Sequence, residues 1–150
     1  MFEEKIRELG IEIPESPKPL ASYVPAVKSG NLIFTSGQLP IKNGKLLFTG
    51  KVGAEISEED ATKAAEFCAI NCLSAAKTII KNLDEIKRVV KVVAFVASNQ
   101  NFNSQPKVAN GASDLIVKIF GDYGKHSRSA VGVSELPLNS PVEVEMIFEV

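Results

Sequence analysis

Apolar residues change their spacing several times along the chain, and each change marks an element. Phe2, Ile6 and Leu9 recur at helical spacing and stop at Gly10, which predicts a short N-terminal helix. Pro14, Pro17 and Pro19 then force an extended arm, because proline fixes φ and removes a backbone donor. From Ala21 to Ser36 the pattern predicts two strands around a turn at Ser29-Gly30-Asn31, with Leu32-Ile33-Phe34 apolar enough to be fully buried. Ser36-Gly37-Gln38 ends the second strand. Asn43-Gly44 tolerates the positive φ of a tight turn and predicts a peripheral hairpin between Leu39-Pro40-Ile41 and Lys45-Leu46-Leu47-Phe48.

Helical spacing returns after Ser57-Glu58-Glu59-Asp60, where Ser57 can cap free amides and the acidic first turn complements the helix dipole. This helix is expected to run to about Asn82, with Ala61, Ala65, Cys68, Cys72, Ala75, Ala76 and Ile79 on its buried stripe. Val89 to Ala97 is rich in Val and Phe and predicts a central strand; Gln105 to Phe120 predicts a second long helix ended by Gly121. Two more strands close the chain. The order predicts one α+β domain over residues 1–150, two main helices on one face of a mixed sheet, with the short helix and proline-rich arm in about the first 20 residues. There is no convincing internal repeat.

The last two strands carry the candidate chemistry. Val142, Val144, Met146 and Phe148 alternate with Glu143, Glu145, Ile147 and Glu149, so one face is core and the other bears carboxylates. In the strand before, Arg128, Ala130 and Gly132 share a face, leaving room beside a guanidinium. If these strands pair across Leu136-Pro137-Leu138-Asn139-Ser140, Arg128 and Glu143 lie near each other on one face. The Arg fork suits a small carboxylate, through charge-assisted bonds of about 1.5–3 kcal/mol, and a Glu suits orienting and deprotonating water. By spacing alone the pair reads more readily as a surface ion pair worth about 0–1 kcal/mol. Tyr23, Ser36 and Asn110 likewise read as packing, a strand end and a solvated helix position, and His126 as a loop residue rather than a base.

Composition changes this picture only by exclusion. The chain has 150 residues, 45% hydrophobic and 23% charged, as in an ordinary globular protein. Its formal net charge is −1 with Lys and Arg scattered, so nucleic-acid binding is not expected. No stretch resembles a signal peptide or membrane span, which makes the cytoplasm the expected compartment. Cys68 and Cys72 lie four apart within a helix and His126 is remote, so they are read as packing residues and no metal site is expected.

Tyr23-Val24, Thr35-Ser36-Gly37-Gln38-Leu39-Pro40, Asn110, Arg128-Ser129-Ala130-Val131, Leu136-Pro137 and Val142-Glu143-Val144-Glu145 together resemble the Rid (YjgF) family in order and spacing from about Ala21 to the C-terminus. The resemblance implies a chorismate-mutase-like fold assembled as a homotrimer, with a pocket at each subunit interface. It further implies hydrolysis of 2-aminoacrylate, 2-aminocrotonate and related imines to 2-oxo acids and ammonia, without metal or organic cofactor. Arg128 would bind the substrate carboxylate and Glu143 would position the attacking water. Tyr23, Ser36, Gly37 and Asn110 would line the pocket, as would Ala130, which stands where a Cys is common in the RidA branch. The approach to Arg128 reads Lys125-His126-Ser127 where Pro is usual, and His126 there is expected to alter selectivity. Two other readings compete with this one. A non-catalytic binder of 2-oxo acids would keep the Arg128 grip and dispense with Glu143. An endoribonuclease or translation inhibitor, as some relatives are described, would need basic residues tracking phosphates, which the chain lacks.

Overall fold

The computed structural model describes residues 1–18 and 22–150, so Pro19 of the expected arm and the Ala21 start of the expected strand pair lie outside the described residues. Helix α1 spans Phe2–Glu8 and buries Ile6. Asp84, a residue from the turn before the central strand, accepts the amides of Phe2 and Glu3, and so supplies a cap that the helix's own sequence lacks. The Phe2 ring packs 4.7 Å from Phe120 and 6.5 Å from Tyr123, centroid to centroid.

Strands β1 (Ala26–Ser29) and β2 (Leu32–Thr35) form the first hairpin. The two-residue strands β3 (Ile41–Lys42) and β4 (Lys45–Leu46) form the second, turned by Asn43 at φ 52° and Gly44 at φ 74° as that dipeptide predicts. Helix α2 covers Glu58–Ala76, with the Ser57 hydroxyl accepting the Asp60 amide at 3.1 Å. It ends six residues earlier than expected. Thr78 bonds back to Ala75 through both its amide and its hydroxyl, and Ile79 to Ala76, which tightens the last turn and lets the chain leave. Ile79 is consequently 38% exposed and not part of the buried stripe, whereas Ala61, Ala65, Cys68, Cys72, Ala75 and Ala76 are all buried. Asn82 instead caps the short turn Leu83–Glu85.

The remaining elements are β5 (Arg88–Ala97), α3 (Gln105–Phe120), β6 (Ser127–Val133) and β7 (Val142–Glu149). The five long strands form one mixed sheet in the order β1-β2-β7-β5-β6, parallel only between β5 and β6. Helices α2 and α3 pack against each other and on one face of this sheet, α2 over β7 and α3 over β5 and β6. The small residues on α2 bring it close to the sheet. Cys68 and Cys72 donate to the Val142 and Val144 carbonyls of β7 at 3.6 and 3.3 Å, and burial pushes the Cys72 thiol up to about 12.

Among the described residues no helix packs on the opposite face, and the alternation of burial along the strands records this. In β7, Val142, Val144, Met146 and Phe148 are buried while Glu143, Glu145, Ile147 and Glu149 are half-buried. Leu32-Ile33-Phe34 is therefore not buried throughout as its composition suggests: Ile33 is fully buried but Phe34 is 37% exposed, because a sheet covered on one side buries only every second residue. No helix among the described residues is long and apolar enough to cross a membrane.

Candidate functional site

Arg128 lies on β6, an edge strand, in register with Val92 of β5, so its side chain emerges on the face that carries the helices. There α3 offers it two acceptors one turn apart. Arg128 Nη1 donates to Asn110 Oδ1 at 2.8 Å and to Ser113 Oγ at 3.2 Å. His126, just before β6, lies 2.9 Å from the same Ser113 oxygen through Nε2 and 2.6 Å from the Gly124 carbonyl oxygen through Nδ1. Among the described residues no carboxylate forms an ion pair with Arg128, whose guanidinium is exposed. Ala130 and Gly132 follow on the same face; a Cβ on Gly132 would come 2.8 Å from the Gln105 amide nitrogen, which occupies the space beside the glycine and donates to the Ser98 hydroxyl.

Glu143 occupies the other face. It is on β7, the middle strand of the sheet, in register with Phe95 of β5, and its carboxyl lies over Gly37. A Cβ at Gly37 would collide with the Glu143 carboxylate oxygen and stand 2.8 Å from its Cδ, so the absence of a side chain at residue 37 is what lets the carboxylate lie there. Gln38 pairs with Val144 through two backbone bonds of 2.8 and 3.0 Å, which seats Ser36-Gly37-Gln38 beside β7. The Ser36 hydroxyl donates to the Val24 carbonyl at 2.7 Å and tethers the segment that bears Tyr23, itself 66% exposed. Burial raises Glu143 above the ordinary carboxylate range, and the negative charge of Glu145 two residues on raises it further.

Arg128 and Glu143 thus fall into two clusters, not one. The expected pairing of the last two strands does not occur: β5 lies between β6 and β7, and residues in register with Val92 and with Phe95 point to opposite faces. Arg128, Asn110 and Ala130 meet on the helix-bearing side, while Ser36, Gly37 and Glu143 meet on the open side with Tyr23 tethered nearby. Ser113 and Gln38 were absent from the expected set. Ser113 follows Asn110 by one helical turn, and that i, i+3 spacing of two small polar residues is the signal that points to it.

Two cavities lie elsewhere, and neither is lined by Arg128, Asn110, Ser113 or Glu143. A groove of about 350 Å³ runs between Leu9–Pro14, the β3–β4 hairpin and α2, floored by Phe67, Ile70 and Asn71. On the open face a depression of about 210 Å³ is lined by Phe34, Lys91, Val93, Glu145 and Ile147. No group of three or more His, Cys, Asp or Glu side chains converges on a metal position among the described residues.

A family model described as "YjgF/chorismate_mutase-like, putative endoribonuclease" matches residues 3–150. Protein TCP17 of Trypanosoma cruzi is 41% identical over 145 residues, 96% of this chain and 91% of that protein. The 2-iminobutanoate/2-iminopropanoate deaminase of Dermatophagoides farinae is 33% identical over 138 residues, 91% of this chain and 92% of its own length. Among solved structures, the protein Atu1372 of unknown function from Agrobacterium tumefaciens superposes with a TM-score of 0.93 at 43% identity, covering 99% of this chain and 92% of its own.

Proposed function

This chain belongs to the YjgF/chorismate mutase-like family, and on that premise we propose that it hydrolyses small imines and enamines bearing a carboxylate, of the 2-aminoacrylate type, to 2-oxo acids and ammonia. The observation that carries the reading is Arg128: a cation held by two neutral acceptors, without a carboxylate partner among the described residues. Such a group calls for a small anion to complete it, and a planar fork takes a carboxylate through two parallel bonds. The relative named as an iminobutanoate and iminopropanoate deaminase supports the choice of anion.

Glu143 supplies the second requirement. An enamine protonated at its terminal carbon becomes an iminium, whose carbon is electrophilic. Water attacks that carbon while Glu143 takes one of its protons, and the C=N electron pair moves to nitrogen. Proton transfer to the amine nitrogen and departure of ammonia from the carbinolamine leave the 2-oxo acid. A carboxylate raised by burial is a better base for the first step than one in free solution.

Because the two side chains leave opposite faces, one substrate reaches both only where the Arg128 cluster of one copy meets the Glu143 cluster of another. Such a contact joins unlike surfaces, and repeated around an axis it closes into a ring, here a homotrimer with three sites. The uncovered face, with Phe34, Val131 and Ile147 on it, is the surface such an assembly would bury. A net charge of −1 leaves RNA without an electrostatic footprint to follow, so ribonuclease action is not adopted.

The test is pyruvate release from 2-aminoacrylate generated in place by a serine dehydratase. Arg128→Ala and Glu143→Gln each abolish the acceleration seen with the unaltered protein. Refolding equal amounts of the two variants together then restores about one site in four, since each mixed trimer has one interface that draws its Arg from one chain and its Glu from the other. Absence of turnover with the unaltered protein sinks the reaction; absence of recovery in the mixture sinks the shared site. A protein that binds pyruvate through Arg128 but never turns over imine is instead a metabolite-binding module.

A further inference from the structure

Resting on the carboxylate-binding role of Arg128, we propose that His126 and Ser113 form a positioning relay that turns one edge of the guanidinium inward and presents the other to the ligand. The direction of every hydrogen bond in the relay follows from one fixed end. The Gly124 carbonyl can only accept, so His126 Nδ1, 2.6 Å away, carries the ring proton. In the neutral ring Nε2 is then an acceptor, and the hydroxyl of Ser113 at 2.9 Å donates to it. That commits the serine hydrogen to His126 and leaves the oxygen lone pairs facing Arg128 Nη1 at 3.2 Å. Asn110 Oδ1 takes the other Nη1 hydrogen at 2.8 Å.

Both Nη1 hydrogens are thereby used within the chain. The three donors on Nη2 and Nε have no partner among the described residues, and the Nε and Nη2 hydrogens on one edge are parallel, the arrangement that grips a carboxylate with two bonds. Without His126 the serine hydroxyl is free to rotate and aim its hydrogen at the cation, which removes one of the two acceptors that fix the fork. The carbonyl that anchors the relay sits in the turn Gly121–Gly124, where Tyr123 lies against Phe2, so the start of the relay is itself packed. His126 and Ser113 are positioning residues, since neither touches the ligand in this arrangement.

The experiment reads the guanidinium directly. In the full-length protein labelled with 15N-arginine, slow exchange and restricted rotation of the Arg128 Nη1 group give resolved signals, assigned by their loss in Arg128→Lys. His126→Phe, which keeps the ring volume but not the acceptor, and Ser113→Ala are each expected to collapse those signals. Both raise KM for the imine about tenfold while kcat changes less than about twofold, the signature of lost ground-state grip. The double variant is no worse than either single one, and His126→Gln, whose amide oxygen can take the serine hydrogen, restores most of the loss. Unchanged Arg128 signals and KM in Ser113→Ala overturn the relay, as does failure of Gln to restore what Phe removes, which would make His126 a spacer. If the unaltered protein shows no turnover, the reaction assignment fails on its own, and the arginine signals still decide the relay.

Discussion

Arg128 and Glu143 are the two charged groups of the candidate site, and they are held in opposite ways. The arginine is tied by direct hydrogen bonds to Asn110 and Ser113, with His126 behind them. The glutamate side chain makes no hydrogen bond among the described residues; it is placed by clearance, over a glycine that offers nothing to collide with, and its charge is disfavoured by burial. A ligand-binding cation gains from being rigid, because a prepaid orientation is not charged again on binding. A base that must take a proton from water gains from a lack of donors, since every bond to its charged form would lower its basicity. The difference is thus what the proposed division of labour requires.

The sharpest way to break the comparison is to keep the charge at position 128 and remove the fork. Arg128→Lys cannot satisfy Asn110 and Ser113 while gripping a carboxylate with a parallel pair, so kcat/KM for 2-aminoacrylate is expected to fall about 10³-fold, the worth of two charged hydrogen bonds. Retention within about tenfold would show that charge alone suffices and that the wiring of Arg128 is incidental.

On the glutamate side the matching change is Gly37→Ala. Gly37 is not at positive φ, so alanine fits its backbone, and the three atoms nearest the new methyl all belong to the flexible Glu143 side chain. The fold is expected to survive with thermal stability unchanged or slightly raised, because alanine restricts the unfolded chain. The carboxylate must swing away, however, and a displacement of this size at the reacting group costs about 10² in kcat. A normal kcat in a well-folded Gly37→Ala would mean that Glu143 acts from some other position, or not at all.

How far each half of the site can be read from sequence follows from the same contrast. Which residues share a face within each strand is legible, because a period of two decides it, but not that Arg128 emerges on the helix-bearing face of the sheet and Glu143 on the other. The hairpin at Asn43-Gly44 and helix Gln105–Phe120 are legible for a similar reason, their turn and stop signals being local. Which strand separates β6 from β7 is not. Consecutive strands usually pair, and that expectation joins Arg128 to Glu143 on one face; contacts between distant segments put β5 between them instead. Local pattern also hides the early end of α2 at Ala76 and the role of Ser113, since both depend on where the chain is going next. Family resemblance names individual residues as candidates but carries no statement of the sheet geometry that divides them.

The smallest expected effect tests the electrostatic half of the comparison. Glu143 is raised first by burial and second by the charge of Glu145. If it works as the base, turnover is present above its pKa and lost as pH falls through it, so the acid limb of kcat lies above the ordinary carboxylate range. Stability has the reverse dependence. A carboxyl whose folded pKa exceeds its unfolded one binds protons more tightly when folded, so its contribution is full below the unfolded value and declines as pH rises through the folded one. Glu145→Gln removes the second cause and leaves the first, which moves the acid limb toward lower pH without reaching the free-carboxylate position and leaves the plateau rate unchanged. A limb that stays in place would assign the whole shift to burial. A limb already at the ordinary carboxylate position in the unaltered protein would mean that the proton leaves by another group, and that the lack of donors around Glu143 serves packing and not basicity.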